Sequence, residues 1–444
     1  MEMESFLSFN YEADKPFRQE TVGDIKKSDD SSSASSIGSS GMEWRLWPAI
    51  SATTSFPYRL LDNVESFFKS KLPSLPAPVN QLQSVANSIA SGLEKLNMDI
   101  DENIVTLEQV LEAHQFLKSS PDMVRTPTLL HVQSMFTKDV KGPKSSGLSS
   151  KVDATSLHKV DLFMKMENMQ TTGSFKIRGV LNQMRKVKER HGKQCKLITM
   201  SAGNYGKAFA HCVGKSSPGS ACVMPQTAPA HKAKLIENMG VEVHKVDTSK
   251  LMEEVNRLVK EEGFVFCHPF DDIDLIAGYA SSALEVLEDV RNPDVILVCC
   301  GGGGLVSGVA AAVSLSKVSN CRVYAVEPQT APTMYESFKT RRPVTIPHAK
   351  SVAAGLAPPY AGSLCYKHCR WFVEDVLLVS DEEMLSAMRV LFDRGIKAEP
   401  SGCAAFAALL SGKVPDVEGK KVVVYITGGN VSCSELSDIM QDGR

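Results

Sequence analysis

Apolar and polar positions follow two rhythms from about residue 104 onward. Short runs that are apolar throughout, such as Val-Ile-Leu-Val-Cys-Cys at 295–300, alternate with longer stretches where apolar residues recur every third or fourth position. The first rhythm predicts strands over 161–166, 196–200, 220–224, 241–246, 264–267, 294–300, 322–326, 372–379 and 421–427. The second predicts helices between most of them, among them 206–215, 250–262, 304–317 and 381–394. Strands apolar on both faces, separated by helices, imply a parallel sheet covered on both sides. So many strands imply two doubly wound units of the α/β class. In that architecture ligands bind beyond the carboxyl ends of strands, so the loops directly after strands carry the chemistry.

The first hundred residues read differently. Residues 1–43 are acidic and serine-rich, end in Ser-Asp-Asp-Ser-Ser-Ser-Ala-Ser-Ser-Ile-Gly-Ser-Ser-Gly with little to bury, and predict a disordered tail. Residues 44–103 predict a helical extension. Leu60, Leu61, Val64, Phe67 and Phe68 repeat at helical spacing, as do Leu82, Val85, Ile89, Leu93 and Leu96, with a proline-rich linker between. This extension could pack on the main domain, lie on a membrane surface or bind an unknown partner. A polar insertion around 137–158 predicts a surface loop.

Composition narrows the class. The 444 residues are 43% hydrophobic and 23% charged with a formal net charge of −2, which gives no footprint for nucleic acid. No apolar run reaches the ~20 residues of a membrane span. The acidic N-terminus resembles neither a signal nor a transit peptide, and the 11 cysteines lack framework spacing, so a cytoplasmic protein with free thiols is expected. Cys365 and Cys369 bracket His368, but no second pair completes a zinc site.

Four loops carry candidate chemistry. In Thr-Thr-Gly-Ser-Phe-Lys (171–176), small hydroxylated residues suit a turn and a helix N-cap, placing Lys176 in the first helical turn. There the helix dipole favours the neutral amine, useful for a nucleophile. Gly301, Gly302, Gly303 and Gly304 join an apolar strand to a helix and suit backbone N–H groups wrapped round a phosphate monoester. Ser201, Ala202, Gly203 and Asn204 open another helix, whose N–H groups could grip a carboxylate. Thr427, Gly428, Gly429 and Asn430 follow the last strand. Three such loops and a nucleophilic lysine fit a phosphorylated, carbonyl-bearing cofactor, for which pyridoxal phosphate is the match.

The ordered motifs TGSFKIRG, SAGN, HPFDD, GGGGL, AEPSG and TGGN resemble the fold-type II pyridoxal-phosphate family of serine/threonine dehydratases over about residues 104–444. That resemblance implies the tryptophan-synthase-β-like architecture with a non-homologous N-terminal extension. A large cofactor domain would comprise 104–190 and 276–444, and a small domain 191–275. It implies that Lys176 carries the cofactor, Phe175 packs beside the ring, Gly301–Gly304 hold the phosphate, Asn204 meets the ring hydroxyl and Thr427 faces the ring nitrogen. A hydroxyl there does not enforce a charged ring, which favours prompt loss of a β-substituent.

Residues 201–204 would hold the substrate carboxylate, and Lys176 would remove the Cα proton. Racemases of the family carry a serine at the position of Ala202, whose methyl cannot act as second base. Tyr205 replaces a frequent histidine. The run Gly-Tyr-Ala-Ser-Ser-Ala-Leu-Glu-Val (278–286) and the HPFDD motif resemble the animal L-serine dehydratase branch. The chain ends soon after TGGN, without the regulatory domain of biosynthetic threonine dehydratases. Glu327, the Ala331 carbonyl and Thr333 match the family's cation position, with too little negative charge to favour a divalent ion, so potassium is expected. The reading is an L-serine/L-threonine ammonia-lyase, acting as a homodimer on a small amino acid. The alternatives are a racemase or β-replacement enzyme, and a cofactor-free pseudoenzyme that binds a partner.

Overall fold

The computed structural model describes residues 104–137, 154–214, 217, 219–318 and 320–441. The expected disordered tail, helical extension and most of the polar insertion lie outside these residues.

Ten strands are described: β1 Thr128–Leu129, β2 Asp161–Lys165, β3 Leu197–Met200, β4 Ala221–Pro225, β5 Glu242–Val246, β6 Val265–Phe266, β7 Val295–Cys299, β8 Arg322–Pro328, β9 Asp375–Val379 and β10 Lys421–Tyr425. They form a six-stranded sheet of order β1-β2-β10-β7-β8-β9 and a four-stranded sheet of order β5-β4-β3-β6. Every pairing is parallel except β1 with β2, where Thr128 faces Lys165. The two parallel sheets with flanking helices bear out the α/β reading. The central strands β7 and β10 are apolar because helices cover both faces, and all five β7 residues are buried. Edge strand β5 is half-exposed and correspondingly mixed in character.

Two details differ from expectation. The two-residue β1 is too short to leave a periodic signal. The run at 372–379 is not one strand: the helix Ser363–Phe372 ends there and β9 begins only at Asp375. Cys365, His368 and Cys369 supply that helix's buried face, a spacing of three and four.

Close helix packing fixes the site. The helices Lys176–His191, Ile273–Asp289 and Gly304–Leu315 meet through glycines. A Cβ on Gly278 would lie 2.7 Å from the Arg178 carbonyl oxygen, and one on Gly308 2.5 Å from that of Ile276. The backbones therefore approach as only glycine permits. This brings the start of the Lys176 helix beside the start of the Gly304 helix.

Candidate active site

Lys176 opens its helix after a loop pinned at several points to the end of β10. Gly173, at φ +75°, accepts from Gly429 N at 2.9 Å, Phe175 N donates to Thr427 O at 3.1 Å, and Ser174 bridges Gly428. The expected hydroxyl N-cap is absent: Phe175 occupies that position in helical conformation and makes no side-chain cap. The Thr172 and Ser174 hydroxyls are instead buried and have no hydrogen-bond partner among the described residues. Backbone bonds to β10, rather than a cap, set the turn.

Beneath the loop lies a buried charge network that sequence reasoning missed. Arg178 donates Nε to Glu167 Oε2 at 2.7 Å, Nη2 to Glu167 Oε1 at 2.8 Å and Nη1 to Glu285 Oε1 at 2.8 Å. Lys165 Nζ donates to Glu285 Oε2 at 2.6 Å and to Thr126 O at 2.7 Å. Burial alone would raise Glu285, but Arg178 and Lys165 hold it below the usual carboxylate range. Charged residues set within apolar runs, as in Leu-Phe-Met-Lys-Met-Glu (162–167), were the available signal.

The Lys176 amine sits among rings, 4.9 Å from the Phe175 centroid, 5.6 Å from Tyr279 and 5.8 Å from Tyr205, and donates to Pro269 O at 3.3 Å. Burial lowers its pKa to about 8, only weakly opposed by Cys365. The expected neutral bias is thus present, and burial is its largest cause. Pro269 leads into Phe270, whose ring a Cβ on Gly302 would strike. The glycine loop and the lysine therefore share one wall.

Gly301–Gly304 leave β7 and enter the helix Gly304–Leu315, with Gly303 at φ +100°. Among the described residues no acceptor faces the N–H groups of Gly301, Gly302 or Gly303. At the SAGN loop, Ser201 Oγ accepts from Gly203 N at 3.3 Å and Gly206 N at 3.1 Å. The Ala202 and Asn204 N–H groups meet no acceptor among the described residues. Gly203 is exposed, with open space where a Cβ would be.

Asn204 was expected to face the cofactor ring. Here its amide nitrogen donates to Glu399 Oε1, and its oxygen accepts from Asn430 Nδ2 at 2.8 Å. Glu399 is the acid of AEPSG, a motif noted without a role for this residue. Burial raises its pKa, against the hydrogen bond from Asn204. Thr427 is buried beside this group, its hydroxyl 3.5 Å from Ser401 O.

Glu327, Ala331 and Thr333 also come together. Glu327 Oε1 accepts from Thr333 Oγ1 at 3.2 Å and Met334 N at 2.8 Å, Oε2 from Tyr335 N at 2.9 Å, and Ala331 O from Thr333 N at 3.0 Å. Burial pushes Glu327 up to about 8. The loop abuts the glycine loop, since a Cβ on Gly303 would lie 2.8 Å from Met334 Cε. Zinc at His368 is disfavoured by its bonding: one ring nitrogen pairs with Leu364 O at 2.7 Å and the other with Val105 N at 3.0 Å. All 11 cysteines are free.

Residues 149–428 match the family described as pyridoxal-phosphate dependent enzyme. The chain belongs to this family. It is 30% identical to the L-threonine ammonia-lyase of Thermotoga maritima over 77% of this chain and 79% of that one. It is 34% identical to the catabolic L-threonine dehydratase of Escherichia coli over 63% of this chain and 86% of that one. Among solved structures, the serine racemase of Dictyostelium discoideum superposes with a TM-score of 0.63 at 29% identity, covering 74% of this chain and 99% of that one. The chain is thus a pyridoxal-phosphate-dependent enzyme of fold-type II, a group whose chemistry is elimination and racemisation at amino acids. Its own residues fit the cofactor. Among the described residues the N–H groups of Gly301–Gly303 meet no acceptor and the Ser174 hydroxyl has no partner, and burial lowers the pKa of the Lys176 amine. Among the described residues no helix is long and apolar enough to cross a membrane.

Proposed function

We propose that the chain is an L-serine/L-threonine ammonia-lyase, releasing pyruvate or 2-oxobutanoate and ammonia, and related to the animal L-serine dehydratase branch. When bound, pyridoxal phosphate supplies an aldehyde for the amines and an electron-accepting ring that stabilises negative charge at Cα. Lys176 Nζ would hold the cofactor and would be the base for the Cα proton. Phe175 would pack beside the ring, Gly301–Gly304 would donate N–H groups to the phosphate, Asn204 would serve the ring hydroxyl, and Thr427 would serve the ring nitrogen without imposing a charge on it. The N–H groups of Ala202 and Asn204 orient the substrate carboxylate in the Ser201–Asn204 loop.

Ala202 carries the choice of elimination over racemisation. A methyl offers no acid or base to the second face of Cα. Ser201, the neighbouring hydroxyl, supports the same reading because its oxygen is turned into the helix start, accepting from Gly203 N and Gly206 N. The test is an ammonia-release assay with L-serine, L-threonine and D-serine, with the keto acid identified. Turnover of the L-substrates with little D-serine formed is expected. Efficient interconversion of L- and D-serine overturns the reading in favour of a racemase.

The same reading extends to the whole protein. Residues 104–190 and 276–444 form the large domain and 191–275 the small one. Potassium binds at Glu327, Ala331 and Thr333. The enzyme acts as a cytoplasmic homodimer.

A further inference from the structure

Tyr279 lies on the helix Ile273–Asp289, on neither of the two helices that start at the site. Its side chain is fully buried, and its hydroxyl has no hydrogen-bond partner among the described residues. An orphaned phenol is costly: an unmet buried donor forfeits ~1–3 kcal/mol. The ring is closely held. It packs edge-on against Phe175 at 4.9 Å between centroids, and the Lys176 amine lies 5.6 Å from its centre.

Two glycines make room for it. A Cβ on Gly179, one turn after Lys176 on the same helix face, would lie 2.7 Å from Tyr279 Cζ. A Cβ on Gly304, at the end of the glycine loop, would lie 3.2 Å from Tyr279 Cε2. Cys365 packs against the same loop, its Cβ 2.7 Å from where Gly303 would carry one. Tyr279 thus stands between the lysine that holds the cofactor and the loop that holds its phosphate. Burial raises its pKa well above the ordinary value, so the phenol is a donor at every working pH.

We propose that the Tyr279 hydroxyl donates a hydrogen bond to the cofactor's phosphate ester, adding a side-chain donor to the backbone N–H groups of Gly301–Gly304. This rests on the reading of the site as a pyridoxal-phosphate pocket. The bound phosphate is the partner that the orphaned hydroxyl lacks. Donation to an anion is among the stronger hydrogen bonds in proteins.

Tyr279→Phe removes the oxygen and keeps the ring. Full-length apoprotein, wild type and variant, is titrated with pyridoxal phosphate and, separately, with pyridoxal, which lacks the phosphate. The variant should lose roughly ten- to a hundredfold in affinity for pyridoxal phosphate and none for pyridoxal. The phosphorus-31 resonance of the bound cofactor should shift between the two proteins. The melting temperature of the apoprotein should not fall, because an unpaired polar atom has been removed. Tyr279→Gln, which keeps a donor but loses the ring, should melt lower than Tyr279→Phe yet bind pyridoxal phosphate more tightly relative to pyridoxal. Equal affinity of wild type and Phe variant, or equal losses for both ligands, overturns the proposal. Wild-type protein that binds neither ligand overturns the reading of the pocket itself, which is a different failure.

Discussion

In the proposed reaction Lys176 concentrates the chemistry in one amine, and its environment dictates how that amine responds to pH. Burial among three rings lowers its pKa from 10.5 to about 8. For a base shifted downward, the neutral, nucleophilic fraction grows as pH rises and is nearly complete well below the ordinary lysine range. Capture of pyridoxal phosphate by the apoprotein, followed by absorbance, should therefore accelerate with pH through about 8 and then level off. The same shift makes this group's contribution to stability rise with pH between about 8 and 10.5. A capture rate still climbing steeply at pH 10 would refute the assignment. Ala202 allows a second test at this scale. Ala202→Ser should introduce measurable L- to D-serine conversion, read by chiral chromatography, and slow pyruvate formation, read by a keto-acid assay. Unchanged product ratios would mean that position 202 does not decide the outcome. The place of Lys176 at the start of a helix was legible from its neighbours in sequence. The cause of its pKa was not, because Tyr205 and Tyr279 reach it from 29 and 103 residues away.

The elements hold that lysine through charge as much as through apolar packing. Arg178, Glu167, Lys165 and Glu285 tie β2, the Lys176 helix and the helix Ile273–Asp289 into one buried cluster. Removing a single member leaves an uncompensated charge, typically costing ~3–5 kcal/mol, whereas a buried network as a whole contributes less. Arg178→Met should accordingly lower the unfolding free energy by that amount, read as a lower urea midpoint at an unchanged slope. Arg178→Lys should fall between, since an ammonium cannot reproduce the planar fork that spans both carboxylates. A loss below ~1 kcal/mol for Arg178→Met would mean that water reaches the cluster. Strands such as β7 and β10 were legible because burial on both faces leaves a continuous apolar run. The segment 372–379 misled for the same reason: Phe372 ends a helix and Val373 is its C-cap, yet both read as the start of a strand. The cluster was illegible because its four charges come from positions up to 120 residues apart, and nothing local announces that they meet.

Across the molecule, loops from distant segments converge at the glycine loop, and the Glu327 segment is the one whose occupant bears on the rest. Glu327 lies at the end of β8, and its carboxylate joins that strand to the start of the helix Thr333–Thr340 through Thr333, Met334 and Tyr335. Met334 in turn packs on Gly303. An ion bound by Glu327, the Ala331 carbonyl and Thr333 would therefore brace the phosphate loop from behind. One carboxylate with neutral oxygens suits a monovalent cation better than a divalent one. Potassium should then slow cofactor loss and raise the initial rate relative to sodium, and activity should survive chelation of divalent metals. At an ion concentration ~100 times its Kd, linkage adds about 2.7 kcal/mol to the folded state, so the melting temperature should rise with potassium as well. Thr333→Asp brings a second carboxylate to the same oxygens and should shift preference toward magnesium or calcium, because hard divalent ions gain most from added charge. Cofactor retention, initial rate and melting temperature compared in sodium, potassium and magnesium for both proteins decide the matter. If neither protein responds to any of the ions, Glu327 serves only to cap its helix, and the bracing of the phosphate loop comes from packing alone.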